Sequence, residues 1–414
     1  MTWPLRTLRG INMSEKSINL IVALDGTGWH PSSWRESGAL PREVTTAKYW
    51  KDLAHKAESG FIDAITLEDS LGLQSEKPFQ NDARIDQFRG RLDAVQVATF
   101  IAPSTKHIGI IPTVIATHTE PFHISKAIAT LDYVSRGRAG LRVQLATRTS
   151  DSEHFGRREF PNFTYEDYLN GNGKEFIQEL FDEAADYIEV VRRLWDSWED
   201  DAEIRDTKTG KFIDINKLHY IDFKGKWFNV KGPSITQRPP QGQPLVTVLA
   251  HATVPYELAA QSADLVYITP TATNSAESII SEVRAAESRK ERTLAPLQII
   301  GELVVFLGKT EADAKARKAQ LDSWLGHEYQ SDAQIFVGSA EQIADVIESW
   351  SVSGIEGFRL RPASLPYDLN AIVDDLVPVL QRRGIFRSNY GEGTLRERFG
   401  FSRPENRYAT SVKG

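Results

Sequence analysis

The densest group of potential ligands in the sequence is Thr117-His118-Thr119-Glu120-Pro121-Phe122-His123, with Glu68-Asp69-Ser70 upstream. His118, Glu120, His123 and Asp69 are residue types that hold divalent metals. Their spacing is neither His-x-His nor His-Glu-x-x-His, however, and Pro121 interrupts the helix that would align ligands one turn apart. No metal is therefore expected. A serine nucleophile is not indicated either, because no Gly-x-Ser-x-Gly elbow occurs. Gly26-Thr27-Gly28 superficially suggests a dinucleotide loop, but Trp-His-Pro-Ser-Ser-Trp follows and does not open a helix. Cysteine is absent from all 414 residues, which excludes thiol nucleophiles, thiolate zinc, iron–sulfur ligation and disulfides. Chemistry must rest on Ser, Thr, His, Asp, Glu, Tyr or Lys, or on a bound cofactor.

Charge narrows the partners. The 56 acidic residues outnumber the 49 basic ones, for a formal net charge of -7, so no positive field is available to attract a nucleic acid. No stretch approaches the roughly 20 apolar residues of a membrane span, and the first residues lack the apolar core of a signal peptide. The expectation is a cytoplasmic protein with no membrane partner. Met13 precedes the tract leading into the first strand, so residues 1–13 read as a disordered arm or an upstream-start artefact.

The elements that must position these residues alternate. Short apolar, β-branched runs fall at Asn19–Leu24, Ala64–Leu67, Ile108–Ile115, Gly140–Ala146, Leu245–Leu249, Leu265–Ile268, Gln298–Phe306 and Gly357–Leu360. Helical patterns lie between them, including Thr46–Ser59, Thr164–Trp198 and Ser339–Trp350. Near-continuous apolar strands joined by helices predict a parallel sheet, and eight of them predict a (β/α)8 TIM barrel over residues 14–414. Two segments exceed a minimal barrel. Residues 203–243, between strands four and five, read as a β-hairpin excursion that could serve as a lid. Residues 368–414 read as a C-terminal extension with a helix at Leu369–Arg383 and a tail that could cross the barrel or pack on a partner.

In such a barrel the site lies at the carboxyl ends of the strands. The residues expected there are Asp25 to Arg35, Glu68-Asp69-Ser70, Thr117 to His123, Thr147-Arg148-Thr149, Ala250-His251-Ala252-Thr253 and Arg361-Pro362. Several of these runs resemble a known family. Phe61-Ile62-Asp63-Ala64 with Glu68-Asp69-Ser70, and Thr117-His118-Thr119-Glu120-Pro121-Phe122 with Gly137-Arg138-Ala139-Gly140, look like the luciferase-like flavin-dependent monooxygenases. Val190-Val191-Arg192-Arg193-Leu194-Trp195-Asp196-Ser197-Trp198, Pro239-Pro240-Gln241-Gly242 and Val377-Pro378-Val379-Leu380-Gln381-Arg382-Arg383-Gly384 continue the likeness in order. More specifically, the sequence is similar to the nitrilotriacetate, EDTA and dibenzothiophene-sulfone monooxygenase branch.

The resemblance implies reduced FMN supplied by a separate flavin reductase. It further implies O2 as co-substrate through a C4a-peroxyflavin, a small organic substrate, and a homodimer or homotetramer. It places Asp69 and Thr117 by the flavin ring or ribityl chain, Ala252 and Thr253 by its phosphate, and His30 and His118 by the substrate or flavin as catalytic candidates. Trp29, Trp34, Phe122, Trp227 and Phe228 are candidate apolar walls that would keep water from the reaction.

The sequence also departs from the family. Arg142 stands where relatives have Asn, followed by Gln144 on the same alternating face, and both are candidates to face flavin. Phe181 replaces a phosphate-binding Tyr, which leaves Arg148, Arg157 and Arg158 as possible donors. These departures keep two alternatives open: an F420-dependent oxidoreductase, or a non-catalytic flavin-binding protein on the same barrel.

Overall fold

The computed structural model describes residues 17–271 and 273–409; the expectation for residues 1–13 falls outside them. Eight strands form a closed parallel barrel: β1 (Asn19–Leu24), β2 (Ala64–Leu67), β3 (Gly109–Ile115), β4 (Gly140–Gln144), β5 (Leu245–Leu249), β6 (Leu265–Ile268), β7 (Gln298–Leu307) and β8 (Gly357–Pro362). Closure comes from β1 pairing β8, with Ile21 opposite Arg359, and from β6 pairing β7. The expected TIM barrel is present. A further strand, Gln334–Gly338, extends the sheet outward from β7.

Alternation along each strand separates two environments. Leu20, Val22, Ile65, Ile110, Leu141, Val246, Val266, Phe358 and Leu360 point outward into the main core beneath the helices. The inward positions are layered. Near the amino ends of the strands, Ile21, Ala64, Ile111, Leu245, Leu265 and Ile300 form an apolar layer. One step further along, the interior turns polar with Thr66, Thr113, Arg142, Thr247, Glu302 and Arg359, all buried.

Local chemistry explains where elements stop. The helix Ala47–Ser59 starts where Thr46 accepts the Tyr49 N–H, and Ala340–Val352 carries the Ser339/Gln342 capping box. The pattern expected to form one helix over Thr164–Trp198 divides into Tyr165–Leu169 and Lys174–Asp196, because Gly171 and Gly173 adopt positive φ between them. Strand β4 ends at Gln144, two residues before the expected Ala146, whose N–H bonds Thr117 Oγ1 instead of a neighbouring strand.

The excursion contains two hairpins, Glu203–Asp206 with Lys211–Ile213 and Phe223–Lys224 with Asn229–Val230. It leaves the C-terminal end of the Lys174–Asp196 helix, where His219 N–H bonds Ser197 and Trp198 Nε1 bonds Ser234. The second hairpin then lies on the outside of that helix, with Phe228 on Tyr187 and Lys226 on Glu179. The segment expected as a lid precedes β5, so it starts at the end of the barrel opposite the strand carboxyl ends. The C-terminal segment crosses that same end. Leu395, Phe399 and Phe401 pack on the apolar inner layer, Arg396 pairs Asp264, and the Phe399 carbonyl accepts from Gln298.

This plug makes a stability prediction. Phe399→Ala should cost about 3–5 kcal/mol, the range for truncating a buried aromatic. Urea unfolding checks it, and an unchanged midpoint would show that the barrel floor closes without the tail.

Candidate active site

The polar interior layer is an alternating ladder of charges. Arg142 on β4 donates to Glu68 Oε2 at 2.9 Å, and Glu68 also takes Nη2 of Arg359 on β8. Arg359 reaches Glu302 on β7, Glu302 pairs Arg361, and Arg361 Nη1 lies 2.6 Å from Asp332. Thr66 and Thr113 accept from Arg359 and Arg142, respectively. Burial alone would raise the Glu68 carboxyl, but Arg142 and Arg359 outweigh it and hold it down at about 2. The ladder ends at solvent, where His251 Nε2 stands 3.4 Å from Asp332 and Nδ1 meets Thr269 Oγ1 at 2.9 Å.

Above this floor two cavities open at the strand carboxyl ends. One, of about 280 Å3, lies over Arg142 and Gln144 and is walled by Phe79, Tyr168, Ile177 and Phe181. The other, of about 310 Å3, shares Phe79 and Gln144 and reaches Leu71, Arg91 and Arg148. Gln144 Oε1 accepts from Arg142 Nη1, which leaves the amide nitrogen as a donor. Arg142 Nε is buried without a partner. At the rim the helix Thr253–Ser262 begins at Ala252 with no side-chain cap, so its first N–H groups have no intrahelical acceptor.

The structure distributes the expected site residues unevenly. Arg142, Gln144, Ala252 and Thr253 gather around the mouth, although the Thr253 hydroxyl is spent on Glu282. Asp69 accepts the N–H groups of Ser70 and Ala94, so it ties the loop after β2 to the next helix; burial raises its carboxyl despite these bonds. Thr117 links the ends of β3 and β4 through Ala146. Arg157 and Arg158 are engaged by Glu120 and Glu183.

The two histidines expected to be catalytic border neither cavity. His30 is fully buried, accepting the Ser32 N–H at Nδ1 and pairing Asp322 through Nε2 at 3.1 Å. Burial pushes it down to about 4, with Asp322 offsetting only part of the effect. Its loop is fixed by Gly28, at φ +129, where an added Cβ would lie 2.4 Å from the Ala363 carbonyl. His118, at φ 70, is packed between Phe155 and Phe160 with Nε2 buried and unpartnered. Burial, with Arg158 and Arg157 nearby, pushes it down to about 4 as well. Both imidazoles are therefore neutral near pH 7.

Of the expected apolar walls, Trp29 lies against the ladder residues Arg359 and Arg361, and the others lie elsewhere. Trp34 bonds the Asp86 carbonyl, Phe122 packs on the main core, and Trp227 and Phe228 belong to the outer hairpin. Sequence reasoning placed Glu68 and Arg361 at the strand ends without giving them a role, and it missed Glu302, Arg359 and Asp332 as site residues. A signal was present for the strand residues: Glu302, Arg359 and Arg361 are charges at alternate positions of otherwise apolar strands.

Comparison with known proteins gives the family and the fold. The luciferase-like monooxygenase family model matches residues 28–349. The N-acetyl-S-(2-succino)cysteine monooxygenase of Bacillus subtilis (strain 168) is 30% identical over 459 aligned residues, covering 95% of this chain and 99% of the relative. The chain belongs to the luciferase-like monooxygenase family. It is a flavin-dependent monooxygenase of that family, in the branch of the nitrilotriacetate, EDTA and dibenzothiophene-sulfone enzymes. Nitrilotriacetate monooxygenase component A of Aminobacter aminovorans is 27% identical, covering 96% of this chain and 99% of the relative. The solved structure of long-chain alkane monooxygenase shares the fold, with TM-score 0.81, 23% identity, and coverage of 93% of this chain and 96% of that one. Among the described residues no helix is long and apolar enough to cross a membrane.

The ladder sets a measurable expectation. Glu68→Gln strands Arg142 and Arg359 and should cost about 3–5 kcal/mol at pH 7, read by urea unfolding. The folded carboxyl sits at about 2 against an ordinary 4.5, so its contribution is complete above pH 4.5 and vanishes as pH falls through about 2. Glu68→Gln should therefore flatten the acid-unfolding curve in that window, and an unaltered curve would contradict the assignment.

Proposed function

We propose that the chain is the oxygenase component of a two-component system, taking reduced FMN from a separate flavin reductase and using O2 to oxygenate a small organic substrate. The observation that carries this reading is the pairing of a polar floor, Arg142 with its orphaned Nε and Gln144 with its free amide nitrogen, with apolar walls at Phe79, Ile177 and Phe181. A flat heterocycle edged with carbonyl acceptors suits that combination. The guanidinium would favour the anionic reduced ring. The uncapped N–H groups that open the helix Thr253–Ser262 suit a phosphate, with no hydroxyl from residue 181 required.

Reduced FMN, when bound, supplies the electrons that activate O2. The protein's part is to hold and shield. Phe79, Tyr168 and Phe181 keep water from the floor, while Glu68 keeps Arg142 charged and aimed. His30 and His118 act as positioning residues: His30 fastens the loop after β1 to Asp322, and His118 fastens the loop after β3 to Phe155 and Phe160.

The test is anaerobic titration of the purified protein with reduced FMN, and in parallel with reduced F420, followed by oxygen uptake on mixing with air-saturated buffer. Reduced FMN should bind, and substrate should couple its oxidation to product. Binding of reduced F420 alone would replace this reading with hydride transfer. Gln144→Leu should weaken reduced FMN about 5–10-fold, the loss of one hydrogen bond, with an unchanged urea midpoint; unchanged affinity would remove Gln144 from the site.

A further inference from the structure

A third cavity, of about 310 Å3, lies beside the mouth between the loops that follow β1 and β2. Its walls are apolar, with Trp50, Leu67, Phe88, Leu92 and Val97. Phe88 stacks directly on Gly26, where an added Cβ would lie 2.4 Å from the ring. Pro41 and Thr45 are exposed and mark the solvent side. Arg91 marks the inner side, because it also borders the mouth cavity that contains Gln144. A molecule entering past Thr45 therefore crosses an apolar chamber and meets, at its far end, the one side chain shared with the mouth.

The charges here are matched. Arg91 grips Asp25 with Nε at 2.8 Å and Nη2 at 2.5 Å. Arg89 pairs Asp82, and Glu68 is held by Arg142 and Arg359. Among the described residues lining the chamber, no cation is left over for a ligand carboxylate. Arg91 Nη1, in contrast, has no hydrogen-bond acceptor among the described residues, so one donor remains on the side chain that borders both the chamber and the mouth.

We propose that this chamber is the substrate pocket, and that it takes a compact, uncharged, largely apolar organic molecule whose single hydrogen-bond acceptor is held by Arg91 Nη1. The use made of the bound molecule rests on the monooxygenase reading; its binding does not. The pocket thus separates this chain from its nitrilotriacetate-oxidising relative, whose substrate carries three carboxylates and would meet no unpaired cation here.

The experiment is calorimetric titration of the flavin-free protein with three probes: acetophenone, ethylbenzene and nitrilotriacetate. Acetophenone should bind, ethylbenzene about 10-fold more weakly for want of the acceptor, and nitrilotriacetate not measurably. Thr45→Trp, a change at an exposed rim position, should abolish binding of both aromatic probes. Arg91→Met should bring acetophenone to the ethylbenzene level. If the unpaired Asp25 prevents that variant from folding, the probe pair on the native protein and Thr45→Trp decide the matter. Tighter binding of nitrilotriacetate than of acetophenone, or unaltered binding in Thr45→Trp, overturns the proposal. Should reduced FMN bind while acetophenone does not, the pocket assignment alone fails; should acetophenone bind while reduced FMN does not, the monooxygenase reading alone fails.

Discussion

Glu68 between Arg142 and Arg359 is the contact on which the site depends. Three charges inside a barrel would each be costly alone, and only their mutual arrangement makes them tolerable. The arrangement requires β2, β4 and β8 to be in register, since one residue of slip would turn these side chains out into the helix layer. Register in turn is set by the apolar outward positions, such as Ile65, Leu141 and Phe358, packing beneath the helices. The ladder thus couples the sheet's geometry to a floor of fixed donors: Arg142 is held charged, immobile and aimed by the same pairs that neutralise it.

The two ends of the barrel show opposite solutions to the problem of filling it. At the amino ends of the strands the interior is apolar and the C-terminal segment closes it with Leu395, Phe399 and Phe401. At the carboxyl ends it is charged and open, bordered by loops from β2, β4 and β5 that bring Phe79, Tyr168 and the start of the Thr253–Ser262 helix together. A dry plug gives stability, and a polar floor under apolar walls gives a place where charge can be stabilised away from water. Burial keeps the histidines at positions 30 and 118 neutral, and neither borders the two cavities above the floor.

Much of the fold was legible in the residues. Four strands, Asn19–Leu24, Ala64–Leu67, Leu245–Leu249 and Leu265–Ile268, have the bounds expected from their apolar runs, because a parallel strand buried on both faces leaves a continuous signal. Boundaries shifted where a tertiary bond intervened, as at Ala146, or where paired glycines broke a helical pattern, as at Gly171 and Gly173. The candidate site was legible only in part. Strand alternation pointed Arg142 and Gln144 into the barrel and the resemblance put Ala252 and Thr253 by the phosphate, but proximity in a motif does not say whether a side chain faces the cavity. His30, Asp69 and Thr117 spend their polar atoms on neighbouring loops.

The sequence by itself determined the barrel, the order of its elements and the family, since hydrophobic alternation and collinear motifs are local properties of the chain. It also excluded cysteine chemistry outright. Only the tertiary structure decided that the second hairpin of residues 203–243 packs on the Lys174–Asp196 helix, that the tail seals the amino end of the barrel, and that Glu68 joins Arg142 to Arg359. The partners in that ladder come from strands 74 and 291 residues apart from Glu68. Which charge neutralises which depends on closure of the sheet, a condition that no local pattern encodes.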